Sequence, residues 1–312
     1  MTQALRVVAV VVSWNRRDLL VEALAAINDQ TRRPDRVVVV DNASTDGTPD
    51  LVLDNYPDVD LVPLDTNTGG AGGFAVGLTR ALALHADWVW LMDDDTVPQR
   101  SALQELIRVR QNYRDHGLVL IASKVVWTDG RDHPMNTPRP KPGVRDAERE
   151  AAALVDCLPI RSASFVSILI DAGEVRRRGL PMADYFLWND DFEFTTRLLR
   201  HRRGLYCPPS VVVHKTRTFG STDADPGERF FLEVRNKVWL FTRSPGLNPL
   251  ERAVYAGSTL RRWAHTFAAS KDRATLAKGL GSGLLTGLRR GPRPTNEVLT
   301  AAGVDPSTGA RR

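Results

Sequence analysis

Three adjacent carboxylates, Asp93-Asp94-Asp95, follow directly on the apolar run "DWVWLM" at 87–92. Adjacent anions repel, and the end of a buried strand is a poor place for them without a cation nearby. In extended chain alternate side chains share a face, so Asp93 and Asp95 point together and Asp94 points elsewhere. Two hard oxygen ligands arranged that way suit Mg²⁺ or Mn²⁺, which keep several waters and are completed by substrate phosphates. An EF-hand is excluded, because "DDDTVPQRSALQ" lacks its further oxygen ligands and its glycine. The plainer alternative is an acidic turn capping the helix that starts near Ser101.

A second acidic group stands in "GLPMADYFLWNDDFEFTTRLLRHRRG" at 179–204, where Trp188, Asp190, Asp191 and Glu193 precede an amphipathic helix with Phe194, Leu198 and Leu199. At least one of these acids is expected to be a helix cap. A Trp beside paired carboxylates is also how a sugar ring is held, its apolar face on indole and its hydroxyls on the acids. Downstream, "YCPPSVVVHKT" ends a β-branched strand in His214, a fair third metal ligand beside Asp93 and Asp95. His85, His116, His133, His201 and His265 have no such setting and read as structural.

The glycine-rich stretch "NTGGAGGFAVG" could cradle phosphate, because glycines let backbone N–H groups approach an anion at a helix start. It contains Gly70-Ala71-Gly72-Gly73-Phe74-Ala75, which passes for the dinucleotide fingerprint of a nicotinamide-dependent oxidoreductase. That reading fails on position. The fingerprint belongs in the turn after the first strand, which here ends in "SWNRR", and it needs one ribose-binding acid rather than three. Close packing of helix on sheet is the alternative use of these glycines.

Positioning these groups requires an α/β framework. "RVVAVVV" (6–12), "DRVVVVDNAS" (35–44), the weaker "VDLVPL" (59–64) and "DWVWLM" read as strands, with helices between them such as "LLVEALAAI" and the one after Thr66. This alternation implies a parallel, doubly wound sheet whose ligands sit at the carboxyl ends of the strands. Those ends carry Ser13-Trp14-Asn15, Asp41-Asn42 and Asp93-Asp94-Asp95, so three polar clusters converge on one edge.

The 312 residues are 42% hydrophobic and 25% charged, enough for one large α/β domain with an appendage. Two cysteines, Cys157 and Cys207, are too few for a disulfide framework and fit a reducing cytoplasm. The apolar core Val7–Val12 is too short for a signal peptide, and no segment approaches a membrane span. Charge is uneven. Residues 251–312 carry eleven Lys/Arg against four Asp/Glu, which leaves the rest of this +5 chain slightly acidic. Such a basic end suits an anionic surface, lipid or nucleic acid, or is simply a solvated tail.

Taken in order, "VVVSWNR", "VVVVDNASTDGT", "NTGGAGGF", "WLMDDD", "FLWNDDFEFTTR", "VVVHK" and "RFFLEVRNKVWL" resemble the inverting family-2 glycosyltransferases of the GT-A fold, over about residues 5–245. Within that family the chain is most similar to bacterial galactofuranosyltransferases of the mycobacterial arabinogalactan type, and to related rhamnosyltransferases. The resemblance implies a GT-A catalytic domain at 1–245, a basic amphipathic helical extension at 246–290 and a disordered tail at 291–312. It implies a nucleoside-diphosphate sugar donor, UDP-linked galactofuranose ahead of dTDP-linked rhamnose, and Mn²⁺ or Mg²⁺ on Asp93, Asp95 and His214. Asp41 matches the acid that binds the base, with Ser13 and Trp14 beside it. Asn67, Gly70, Asp93, Asp94 and Arg235 fall in the segments that run past the donor. Arg235-Asn236 match an Arg-Asn pair near the donor phosphates or the acceptor.

Asp191 or its neighbour Asp190 matches the catalytic base, since "WNDD" has one residue more than the "WDD" of some relatives. Trp188 and Asp190 are the acceptor-side candidates. Ser167-Ile168 stand where relatives carry Asn-Gly. The extension, with Leu260, Trp263, His265 and Phe267 among Arg261 and Arg262, is expected to dock on anionic membrane or a partner subunit at the inner membrane face, or to pack on the catalytic domain. The acceptor implied is a glycan or polyprenyl-linked sugar. No nucleic-acid partner is expected, and no residue pattern speaks to oligomeric state.

Overall fold

Seven consecutive buried residues, Val7–Ser13, form β1 at the centre of the sheet in the computed structural model, which describes residues 5–219 and 225–311. The valines alternate between two cores. Val8, Val10 and Val12 face one side, while Val7, Ala9 and Val11 face the other. A strand covered on both faces can afford such a continuous β-branched run. Chain order continues with α1 (Arg17–Asn28), β2 (Arg36–Asp41), α2 (Thr48–Asn55), β3 (Val59–Pro63), α3 (Gly69–Ala83), β4 (Trp88–Asp93), β5 (Thr96–Pro98) and α4 (Ala102–Asn112). The second half comprises β6 (Leu118–Val126), β7 (Arg139–Pro140), α5 (Asp146–Ala153), β8 (Leu158–Ser162), β9 (Ile168–Asp171), α6 (Ala172–Arg178), α7 (Asp190–Leu198) and β10 (Arg203–His214). Four helices follow: α8 (Phe230–Thr242), α9 (Pro249–Ala269), α10 (Arg273–Arg289) and α11 (Thr295–Ala301).

The sheet runs β3-β2-β1-β4-β9-β6-β10-β8-β7, with β5 paired to β10. The first four strands are parallel, and the order reverses between β2 and β4 on either side of β1. That reversal opens a crevice at the carboxyl ends of the strands, as expected for a doubly wound sheet. Beyond β4 the sheet is mixed, because β9 enters antiparallel between β4 and β6. Ser167, just before β9, is buried and accepts from Trp90 Nε1 at 3.0 Å while bonding Ser123. It serves the core.

The glycines of α3 are chiefly packing residues. A Cβ on Gly73 or Gly77 would collide with Val12 or Val10 of β1, and one on Gly69 would collide with the Phe186 backbone. Only Gly70 among them faces open space. The helix therefore starts at Gly69, and there is no extended glycine loop ahead of it.

The basic extension forms a helical layer. Gly279, Gly283 and Gly287, one per turn of α10, let its backbone close on Phe230, Val234 and Val238 of α8. Trp263 and Phe267 of α9 sit edge-on to Phe230 at 5.9 and 5.8 Å, whereas Leu260 is exposed. The expectation of a disordered tail from residue 291 is corrected. Leu299 and Val304 are fully buried in the core beside α3, and Thr295 Oγ1 donates to Pro181 O at 2.9 Å. Arg293 and Arg311 pair with Asp184 and Asp65. Pro, Gly and Thr dominate the composition there, but a few well-placed apolar side chains suffice to hold a short segment on an existing core.

Candidate active site

The carboxyl end of β4 delivers Asp93, and the tight turn into β5 delivers Asp95. Pairing of β5 with β10 sets Thr96 opposite His214, which brings the imidazole to the acids from 119 residues downstream. One ligand atom each from Asp93, Asp95 and His214 lie within 4.8 Å of one another. His214 donates from Nδ1 to Asn136 Oδ1, 2.9 Å away, and its Nε2 lies 3.0 Å from Asp95 Oδ1. That approach lacks hydrogen-bond geometry, so the buried Asp95 Oδ1 has no hydrogen-bond partner among the described residues. An orphaned carboxylate oxygen facing an imidazole nitrogen and a second carboxylate fits a divalent cation with mixed oxygen and nitrogen ligands.

Charge crowding is visible in the acidities. Burial, then the neighbouring Asp95, pushes Asp93 up to about 6. Burial and Asp95 likewise push Asp94 up to about 7. Asp95 goes the other way: burial opposes its charge, but His214 and Arg16 together hold it below the usual carboxylate range. Asp94 does turn away from the other two, as the alternation predicts. Its Oδ2 accepts from Ser13 Oγ at 2.9 Å and from the Trp14 N–H at 3.1 Å. Ser13 is thus buried and committed to Asp94, while Trp14 stands half exposed beside the crevice.

Arg16 escaped the sequence reading. Its guanidinium bonds Asp95 and reaches to 3.6 Å from Asp94, so it supplies part of the positive charge these acids need. With Arg17, Lys215 and Arg217 it lines a pocket of about 310 Å³ next to the acids. Asp18 and Asp46 line it too, and the four cations outnumber them, a net positive lining that suits a diphosphate. At the end of β2, Asp41 is buried, with Oδ2 accepting from the Ser44 N–H at 3.0 Å and Oδ1 unpartnered. Burial pushes its pKa above the ordinary carboxylate value, so an incoming donor at Oδ1 would be welcome. Asn42 ties β2 to the start of α3 through Gly69 O and the Thr68 N–H, both at 2.8 Å. Asn67 accepts from the Gly69 N–H at 2.7 Å and shapes the same turn.

Across the crevice, Asp190 and Asp191 are the first two residues of α7. Phe186, Trp188 and Asn189 lead into them with φ of 63°, 66° and 66°, a strained run for residues with side chains. Asn236 holds it: Nδ2 lies 2.9 Å from the carbonyls of Tyr185, Leu187 and Trp188. Arg235 donates to the Asp184 carbonyl at 2.8 Å and stacks 4.3 Å from the Trp239 ring. The resemblance places this pair near the donor phosphates or the acceptor; in the structure both side chains clamp the loop that carries Trp188 and the acids. Asp190 is buried, and burial plus Asp191 push it well above the normal range. Asp191 is half-buried. Burial raises it too, but the Phe192 N–H at 2.6 Å, Lys237 and Arg139 act against that rise. Lys237, nearly buried on α8, is pushed down to about 8 by burial. Glu193 is fully buried against Arg197 and Ser244 and is structural.

His133, read from the sequence as structural, lies beside the site. It is buried, stacks on the His214 ring at 5.1 Å and bonds Thr216 Oγ1 at 3.0 Å.

A doubly wound sheet with paired acids, a cation-ready cluster and a basic cavity at its switch point defines a GT-A sugar-transfer fold. The chain belongs to glycosyltransferase family 2, whose model matches residues 8–166, and it is a glycosyltransferase. It is 32% identical over 266 residues to galactofuranosyltransferase GlfT1 of Mycobacterium tuberculosis, covering 78% of this chain and 84% of that one. Among solved structures, TarS 1-349 of S. aureus in complex with UDP is similar with a TM-score of 0.62 at 17% identity, over 89% of this chain and 80% of that one. A mannosyltransferase from Pyrobaculum calidifontis in complex with GDP-Man and Mn²⁺ is similar with a TM-score of 0.51 at 20% identity, over 96% and 80% of the two chains.

Proposed function

We propose that the chain transfers galactofuranose, with inversion, from a UDP-linked donor to a hydroxyl of a lipid-linked or cell-surface glycan. The observation that carries this reading is the cluster of Asp93, Asp95 and His214, with ligand atoms within 4.8 Å of one another, beside a cavity lined by four cations. Asp41 would read the nucleobase from the end of β2, with Trp14 beside it. Arg16, Arg17, Lys215 and Arg217 would hold the diphosphate in their pocket. Asp93, Asp95 and His214 would hold Mn²⁺ or Mg²⁺, which when bound supplies charge stabilisation for the departing nucleoside diphosphate.

Asp191 is the better base of the pair. It is half-exposed and has cations near it, whereas Asp190 is buried and driven towards its neutral form. The acceptor hydroxyl gives its proton to Asp191 as the new bond to the anomeric carbon forms and the bond to the diphosphate oxygen breaks. Attack from the face opposite the leaving group inverts that carbon. Trp188 and Asp190 would hold the acceptor sugar. Among the described residues no helix is long and apolar enough to cross a membrane. Exposed Leu250, Val254, Leu260, Leu285 and Leu288, set among arginines, support a peripheral seat on anionic lipid at the inner membrane face.

Thermal unfolding with UDP, dTDP or GDP, each with and without Mn²⁺, tests the donor. At a hundredfold excess over its dissociation constant, a ligand of the folded state adds about 2.7 kcal/mol. A Mn²⁺-dependent rise with UDP is expected. A rise confined to dTDP would replace galactofuranose with rhamnose.

A further inference from the structure

Among the described residues, two cations beside the proposed base make no hydrogen bond and no ion pair, although both feel the charge of Asp191 and Lys237 also feels Glu233. Lys237 is only 8% exposed, yet among the described residues its ammonium makes no hydrogen bond and no ion pair. Its Nζ lies 5.3 Å from the centroid of Phe192, the residue directly after Asp191, and 5.9 Å from that of Phe241. Arg139, exposed on β7, likewise has no hydrogen bond or ion pair among the described residues. Its guanidinium sits 5.4 Å from the same Phe192 ring and 5.7 Å from Tyr255. The nearby acid on α8, Glu233, is already taken by Asn189, Arg262 and Trp263. Asp191 spends one oxygen on the Phe192 N–H.

A nearly buried ammonium without a hydrogen-bonded partner is costly, and a ligand that brings the missing negative charge would relieve it. Two cations around one aromatic ring match a phosphate ester, the arginine as a fork and the lysine as a point charge. The donor diphosphate already has the cavity lined by Arg16, Arg17, Lys215 and Arg217. Lys237 and Arg139 instead share Phe192, on the helix of the proposed base, with Tyr255 of the basic extension, whose ring meets Phe192 edge-on at 5.0 Å.

We propose that Lys237 and Arg139 form a subsite for the phosphate or diphosphate ester of a lipid-linked acceptor, with Phe192 and Tyr255 as its floor. This rests on the acceptor side of the function proposed above. It makes the extension part of acceptor recognition through Tyr255.

The test is calorimetric titration of the full chain, first with UDP and Mn²⁺ to saturate the donor site, then with farnesyl diphosphate, farnesol or inorganic pyrophosphate. The first titration reports on the donor reading alone, and the second is repeated without nucleotide, so failure of one is separable from failure of the other. Farnesyl diphosphate should bind, farnesol should not, and Lys237→Gln and Arg139→Gln should each weaken the binding about tenfold. UDP affinity should be unchanged in both variants. Arg139 is exposed, so Arg139→Gln provides the test if Lys237→Gln fails to fold.

Farnesyl diphosphate that does not bind, or that binds equally to the wild type and a folded variant, overturns the proposal. Pyrophosphate binding more tightly than farnesyl diphosphate also overturns it, by marking a site for free phosphate. A Lys237→Gln variant with full farnesyl diphosphate affinity but a displaced pH profile of transfer would leave Lys237 as a counter-charge to Asp191 only.

Discussion

His214 and Asn136 meet through Nδ1 and Oδ1 at 2.9 Å, both buried, which leaves the opposite ring nitrogen of His214 turned to Asp95. An amide oxygen can only accept, so Nδ1 carries the proton, and in the neutral ring Nε2 is the nitrogen with a free lone pair. That is the tautomer a metal requires.

Asn136→Ala should therefore weaken Mn²⁺ binding by about 10–100-fold, the usual cost of losing such an orienting partner. Titration of the Mn²⁺ electron paramagnetic resonance signal in the nucleotide-free protein measures it. Unchanged affinity would mean that the histidine is not a ligand, or that packing against His133 orients it unaided.

Asp191→Asn should lower transfer by about 10²–10⁴-fold while leaving UDP affinity intact, as expected for loss of a general base. Asp190→Asn should cost far less, because burial and Asp191 already drive Asp190 towards the neutral form that asparagine mimics. Initial-rate assays of both variants, with UDP binding as the control, decide between the two acids. The reverse ranking would move the base to Asp190.

Asp94 gives a pH signature. Burial and Asp95 raise it from an ordinary value of 3.8 to about 7 in the folded protein. A raised folded-state value means that the native protein holds this proton more tightly than the unfolded chain. Its stabilising contribution is thus full below pH 3.8 and is lost as pH rises to about 7. Asp94→Asn removes that dependence. Relative to wild type, the variant should gain stability across this window, on the order of 3–4 kcal/mol in the limit of no relaxation. Urea unfolding at pH 5 and pH 8 without metal would show it, and parallel curves for the two proteins would refute it.

Leu299→Ala should destabilise the fold by about 2–5 kcal/mol, the range for emptying a fully buried leucine position. Its side chain lies in the core beside α3. A shift in the denaturant midpoint at constant slope is the expected reading. No shift would return residues 291–311 to the status of a loose tail.

Much of this architecture is legible locally. A β-branched run buried on both faces needs no partner to announce itself, so β1 and β4 emerge within a residue of their observed limits, while β2 ends at Asp41, three residues before the reading of 35–44. Because parallel strands joined by helices expose their carboxyl ends on one side, Asp41 and Asp93–Asp95 had to share an edge. The alternation rule likewise turned Asp94 away from its neighbours. The tail was not legible, because composition records how many apolar residues a segment has and not whether a core lies within their reach. Arg16 and Asn136 were hidden for a related reason. An arginine after a strand and an asparagine in a loop are ordinary surface residues until the fold sets an acid beside the one and an imidazole beside the other.

The sequence by itself determined the parallel half of the sheet, the family and the acids that line the crevice, since those follow from periodicity and from motifs only a few residues long. The tertiary structure alone decided how they are used. Pairing of β10 with β5 set His214 against Asp95, the clamp of Arg235 and Asn236 fixed the loop before Asp190, and the Phe192 N–H, Lys237 and Arg139 oppose the rise in Asp191 that burial imposes on both adjacent acids. Each of these depends on distances between side chains tens of residues apart or more, and on solvent access. Neither quantity exists until strand order and register are set.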